Sequence, residues 1–292
     1  MGDFLLLLGL YLVIGSAIVV FVMRRRQSQE EYFVGGRTVG WIVTALTYAA
    51  TTYSAFMMVG LVGLAYASGV GAMIFELLYL AVTLVILGLY GKKVWELGHR
   101  YGLISPMELF TARYGKITEG TGAAVAFLAL IPYTSVQVIG LALIFEAYGI
   151  DFTVGVTIAA VIICVWAFLG GLRGVAITDA LQGGFMMLVA VGVLLWTGGE
   201  FQGFEFSRFP NKVWTPVFFI NLALPWSFFA LTNPQVLQRM FIIKEKRGIT
   251  KMMILFGVFG LIYTVIVTFI GFAAKSGTLS GALPQIADRD TV

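Results

Sequence analysis

This sequence predicts an all-α polytopic membrane protein, and three observations carry the prediction. Of its 292 residues 59% are hydrophobic and only 12% are charged, where soluble domains carry about 25% charged residues. Eight apolar runs, at 3–23, 41–66, 71–91, 120–147, 152–171, 176–198, 214–241 and 252–274, approach the ~20 residues that a helix needs to cross a bilayer. Lys and Arg are also split unequally between alternate loops. One set holds Arg24, Arg25, Arg26, Arg37, Lys92, Lys93, Arg100, Arg113, Lys116, Arg173, Arg239, Lys244, Lys246, Arg247 and Lys251; the other holds only Arg208, Lys212, Lys275 and Arg289. Basic loops face the cytoplasm, so the N-terminus and the last residues lie outside.

The run 3–23 reads as a leader span. Asp3 is acidic where a signal peptide would be basic, and the basic RRR at 24–26 follows the apolar run instead of preceding it. The loop RRRQSQEEYFVGGR is then cytoplasmic. The next span contains TYAATTYSAFMMVGLVG, residues 47–63, rich in hydroxyls and glycines. Such content fits either a small-residue helix interface or an interrupted helix whose freed carbonyls and hydroxyls build a midplane site.

Glu76 sits about six residues inside the outer end of the 71–91 span. It is either a carboxylate near the interface or a polar contact to solute, since ionisable groups at membrane depth are costly. In YGLISPMELFTARYG, Ser105 as N-cap, Pro106 at N1 and Glu108 at N3 predict a short helix opened by a capping box. Tyr133 and Gln137 stand one turn apart and share a face, with Pro132 a candidate kink.

Asp179 lies one turn into the 176–198 span. It either complements a helix N-terminus or offers a hard oxygen ligand to sodium beside a vestibule. Residues 199–213 are polar and aromatic and predict an outer-interface loop. In ALPWSFFALTNPQVLQRMF, Pro225 and Pro234 bracket Thr232 and Asn233, which predicts a second broken helix. Two interrupted spans that run in opposite directions point to an inverted-repeat secondary transporter, with its site where unwound backbone meets side chains.

Other classes fit poorly. One Cys (Cys164) and one His (His99) leave no disulfide framework and no Cys/His zinc site within this chain. A net charge of +4 is explained by the basic loops, so no nucleic-acid partner is expected. No nucleophile–base pair, metal-ligand spacing or phosphate loop is visible, so the chain does not read as an enzyme, and no organic cofactor is expected.

In order along the chain, EEYFVGGRTVGW, TYAATTYSAF with the glycines at 60 and 63, FLGGLRGVAITDALQ and NPQVLQR resemble the sodium:solute symporter family. The resemblance implies a leucine-transporter-like inverted-repeat bundle: a leader helix at 1–23, a first five-helix repeat at 41–198, and the first two helices of a second repeat at 214–274. An outer segment at 275–292 would follow, making the sequence an N-terminal portion of a longer transporter that acts as a monomer when full length. The alternative is a half-length relative completed by oligomerising.

Carried over by position, the resemblance makes Ala50 and Tyr53 the residues whose backbone carbonyls face the family's shared Na⁺ site. The other ligands would come from an eighth core span. Asp179 matches an acidic position of the fifth core span, used at a further Na⁺ site or on the ion path, and Arg37 matches the basic residue of the first cytoplasmic loop. Thr52 and Ser54 match cavity-lining positions, with Glu76, Gln137, Trp226 and Asn233 as further cavity candidates. Thr52 departs from relatives that often carry a carboxylate or amide there.

The implied function is Na⁺-driven uptake of a small organic solute by alternating access in the plasma membrane. The run GLYGKKVWELGHRYGLISPMELFTARYG looks nearer to the pantothenate and monocarboxylate branch than to sugar carriers, with the proline branch next. The competing class is a transporter-fold sensor or channel without coupled transport.

Overall fold

The computed structural model describes residues 2–23, 28–200 and 203–283. The RRR at 24–26, the remainder of the polar segment after 283, and Arg289 lie outside the described residues.

The described residues are nearly all helical. A leader helix α1 (Gly2–Met23) is followed by the short α2 (Gln29–Val34). Ser28 caps α2 reciprocally: its Oγ accepts from the Glu31 amide while the Glu31 carboxylate accepts from the Ser28 amide, a capping box beyond the one expected at Ser105. Then come α3 (Trp41–Ala55), α4 (Leu61–Ser68), α5 (Val70–Ile86) and α6 (Lys92–Arg100). The predicted short helix appears as α7 (Glu108–Tyr114). The helix begins at Glu108, two residues later than expected, and the box is only partly formed: the Glu108 carboxylate accepts from the Ile104 and Ser105 amides at 2.8 and 3.4 Å, while Ser105 Oγ accepts from the Met107 amide at 3.3 Å and not from that of Glu108.

Helix α8 (Lys116–Ala147) runs through Pro132 without a break. Helix α9 (Phe152–Glu200) holds both of the runs predicted at 152–171 and 176–198, and its backbone leaves helical geometry at Gly171, φ 54° and ψ −171°. The chain turns back there. Tyr11 of α1 packs on Trp166 with ring centroids 5.3 Å apart and also accepts a hydrogen bond from Gln182 at 2.6 Å. In one straight helix those two partners would stand about 24 Å apart along the axis, so a glycine hinge replaces the expected loop. Six described helices are long and apolar enough to cross a membrane, and the bent pair Trp41–Ser54 and Met57–Ser68 makes a seventh. The fold-back at Gly171 makes two crossings of α9, and the eight apolar runs are accounted for.

The next span is assembled from α10 (Pro216–Ser227), α11 (Phe229–Thr232) and α12 (Pro234–Ile242), and α13 (Lys246–Ser280) follows. Helix α13 is the centre of the bundle: 56% of its apolar window is buried, against 11% for α8 and for α9. It packs on α3, α4, α5 and α9. Close approach to α4 depends on Gly271, where a β-carbon would stand 2.5 Å from the Val62 carbonyl and 2.8 Å from Ala65 Cβ. Small residues at such crossings are the usual device of membrane bundles.

The segment before α10 is more than the interface loop that its composition predicts. It folds over the α4–α5 turn, where Ser207 Oγ, Asn211 Nδ2 and Trp214 Nε1 all donate to Ser68, at 3.2, 3.0 and 2.8 Å. Trp214 is fully buried against Phe75 and Gly71. Gly69, φ +74°, sits beneath it, and a β-carbon there would strike Ser207 Oγ at 1.7 Å. Trp214→Ala is expected to cost about 3–5 kcal/mol, read as a lower thermal unfolding midpoint in detergent. An unchanged midpoint would remove this segment from the packed core.

On the face that carries the basic loops, the backbone is strapped together. The Val39 amide donates to the Ile242 carbonyl at 3.1 Å and the Lys244 amide to the Val39 carbonyl at 3.0 Å. Trp95 Nε1 donates to the Ile243 carbonyl at 2.9 Å, and Gln238 Nε2 to the Phe33 carbonyl at 2.8 Å.

Candidate functional site

The hydroxyl-rich stretch is a broken helix. Ser54 leaves helical geometry at φ 18° and ψ −164°, a π-turn follows over Phe56–Gly60, and the axes of Trp41–Ser54 and Met57–Ser68 differ by 58°. A wider turn interrupts the i→i−4 ladder, and the interrupted groups must find other partners where no water is at hand. One of those partners is visible: Tyr133 Oη of α8 donates to the Thr51 carbonyl at 3.1 Å.

Ala50 and Tyr53 lie in the turn just before the break. Ala50 is half-buried, and its Cβ would lie 3.9 Å from a β-carbon placed on Gly183 of α9. Tyr53 is fully buried between the rings of Phe256 and Phe259, at 5.6 and 6.2 Å, with Tyr263 at 6.0 Å. Its hydroxyl fills the space above Gly260, where a β-carbon would stand only 1.9 Å away. Thr52 is buried, and its Oγ1 is a buried oxygen without a protein partner. The orphaned Thr52 hydroxyl at the break is a hard oxygen donor, of the kind that suits a cation such as Na⁺.

The cavity candidates divide. Glu76 is buried in α5, not snorkelling to the interface, and shares a face with Tyr79, Leu80 and Thr83, also buried. Trp226 stacks on Phe229 at 5.1 Å and meets Tyr79 edge-on at 5.7 Å; Phe229 in turn lies 6.4 Å from Tyr133. Aromatic contacts therefore connect Glu76's helix face, through Trp226 and Phe229, to the hydroxyl that holds the Thr51 carbonyl. Tyr133 and Gln137 are both half-buried on one face of α8.

Asn233 has a structural role. Its Oδ1 accepts from the Gln235 and Val236 amides at 2.9 and 3.3 Å and caps α12. That cap is why the second span breaks where it does. Arg37 stands apart on the basic face. Its Nε pairs with Glu30 at 2.7 Å and its Nη2 donates to the Leu103 carbonyl at 2.8 Å.

Asp179 is placed against α3, the first half of the broken helix. Thr47 Oγ1 donates to its Oδ2 at 2.6 Å, Thr51 of the same α3 face also hydrogen-bonds it, and Arg239 Nη2 lies 3.3 Å from Oδ2. By sequence Arg239 counts only as a loop charge, yet its side chain is 7% exposed. The position is readable from PQVLQRMFI, because Arg239 is three residues beyond the buried Val236 and so on the core face of its helix.

A helical bundle with two broken spans, polar groups at the breaks and basic loops on one face defines the class: a multi-pass membrane protein with a leucine-transporter-like fold. The chain belongs to the sodium:solute symporter family, whose sequence model matches residues 32–291. It is 33% identical over 198 residues to the sodium/pantothenate symporter of Escherichia coli, covering 66% of this chain and 41% of that protein. It is 32% identical to the corresponding symporter of Haemophilus influenzae, over 68% of this chain and 42% of that one. A sodium/proline symporter from Staphylococcus aureus is 27% identical over 64% of this chain and 38% of its own length. The chain thus spans about two fifths of the length of these curated relatives. In three dimensions it resembles a Na⁺-coupled sialic acid symporter solved in a substrate-bound outward-open state, with a TM-score of 0.86 at 19% identity, over 99% of this chain and 64% of that one.

Proposed function

We propose that this chain belongs to a secondary transporter that couples inward Na⁺ movement to uptake of a small organic solute, with pantothenate, a monocarboxylate or an amino acid as substrate class. The observation that carries the reading is the 58° break in α3–α4 with the Thr51 carbonyl held by Tyr133. Helices are broken in this way at midplane ion and substrate sites of inverted-repeat transporters.

On this reading residues 41–198 form a first repeat and 214–274 open a second, with the N-terminus outside the plasma membrane and the full-length protein working as a monomer. The carbonyls of Ala50 and Tyr53 hold Na⁺, with the rest of its shell from an eighth core span. Thr52, Ser54, Glu76, Gln137 and Trp226 line the solute cavity. The strap between Val39 and the α12–α13 connection keeps the cytoplasmic side shut while the outer side is open. At 100 mV each Na⁺ charge moved inward supplies about 2.3 kcal/mol, and coupling requires that Na⁺ and solute favour the same conformer.

The test is uptake of labelled pantothenate, lactate and proline by the full-length protein in proteoliposomes, with an inward Na⁺ gradient or with choline in its place. Gradient-dependent uptake of one of the three is expected. Equal uptake under both conditions would sink the symport reading.

A further inference from the structure

We propose that Arg239 is a tethered competitor of the coupling ion: its guanidinium occupies the Asp179 carboxylate when the inner side is closed, and Na⁺ takes that place when α12 moves away. The proposal rests on the sodium-coupled reading above and adds to it a positioning residue that sets how tightly the ion is held and when the inner path opens.

Three geometric facts support it. First, Asp179 is served from two directions. Helix α3 supplies the hydroxyls of Thr47, at 2.6 Å, and Thr51, while α12 supplies the Arg239 guanidinium at 3.3 Å. Two hydroxyls beside a carboxylate are hard oxygen donors that would suit a monovalent cation, and the guanidinium stands where such a cation would be attracted. Second, Arg239 is held loosely for a buried cation. Its Nη1 donates to the Gln235 carbonyl of its own helix at 2.9 Å, and its Nε is buried without a partner. A bidentate clamp would use more of the guanidinium fork; this single contact is one that can be exchanged.

Third, the pair is wired to both breaks. Asp179 touches the turn of α3 that carries Ala50 and Thr51, and Gly183, one turn further along α9, meets Leu46 and Ala50. Arg239 stands six residues past Asn233, the cap at which the second span is interrupted. A rotation of α12 about that cap would withdraw the guanidinium from Asp179 and would break the backbone strap between Val39 and Ile242. A carboxylate left there without a cation is costly, so arrival of Na⁺ favours departure of Arg239, and the linkage is reciprocal.

The experiment is equilibrium binding of ²²Na⁺ to the purified full-length protein in detergent, which needs no knowledge of the solute. Arg239→Gln should bind Na⁺ roughly tenfold more tightly than wild type, a typical size for such coupling. Arg239→Lys, which keeps the charge and is safer for folding, should shift binding in the same direction by less. Adding Asp179→Asn to Arg239→Gln should abolish the gain. A purely structural role for Arg239 would weaken binding or leave it alone, so unchanged or weaker binding in Arg239→Gln, or a gain that survives Asp179→Asn, overturns the proposal. If the wild type binds no Na⁺ at all, the sodium-coupled reading falls as well, which separates the two failures.

Discussion

Asp179→Ala is expected to cost about 3 kcal/mol of stability, the lower end of the 3–5 kcal/mol seen when one partner of a buried ion pair is removed. The lower end applies because the Asp179 side chain retains 18% exposure. Removal leaves the Arg239 guanidinium buried beside α3 with only the Gln235 carbonyl for its Nη1. The double variant Asp179→Asn with Arg239→Gln removes both charges and leaves amides that can bond each other, so it should recover most of the loss. Thermal unfolding of the full-length protein in detergent checks the ordering. If the double variant unfolds as early as Asp179→Ala, the charge imbalance is not the cause.

Gly271→Val carries the second large effect. The first added carbon alone would meet the Val62 carbonyl at 2.5 Å, Ala65 Cβ at 2.8 Å and the Tyr66 amide nitrogen at 3.0 Å. Two of these are backbone atoms of α4 and cannot rotate aside, so the two helices must separate. Overpacking of this kind costs about 3 kcal/mol. A control is Gly184→Ala, where nothing lies within 4 Å of the added carbon and helix propensity improves by roughly 0.8 kcal/mol. The expected pattern is a large fall in unfolding temperature for Gly271→Val and none for the control. Equal behaviour of the two would show that α13 and α4 do not pack at Gly271.

Much of this architecture is legible in one dimension, for identifiable reasons. Spans are readable because lipid demands about 20 apolar residues in a row, and both broken helices are readable because prolines, hydroxyls and glycines interrupt those runs. The Glu108 contacts to the Ile104 and Ser105 amides are readable because they join residues three and four apart. What escapes a linear reading depends on tertiary contact. Gly171 folds α9 back on itself, but two glycines after Leu169 look like an ordinary end of span. Trp214 reads as the first residue of a span, and only the fold shows Ser68 beneath it. Asn233 reads as a cavity candidate, and only the fold shows that its side-chain carbonyl caps α12. Arg239 counts toward sidedness in a tally of loop charges, and only the approach of α9 shows the carboxylate that it faces.

The two halves of the broken helix keep different company. Helix α4 is seated on α13 through Gly271 and tied by Ser68 to the segment at Trp214. Helix α3 also meets α13, but it alone of the two is fastened to α9, at Gly183 and Asp179. Any rocking of the α9 hairpin relative to the α4 side must therefore be absorbed over residues 54–60, the one stretch between them without regular α-helical bonding. On the proposed reading, the atoms offered to the cargo are also the joint of the machine. Occupancy of those carbonyls would stiffen the joint, and bending the joint would reshape the donors, so ligand and motion would address the same few peptide groups.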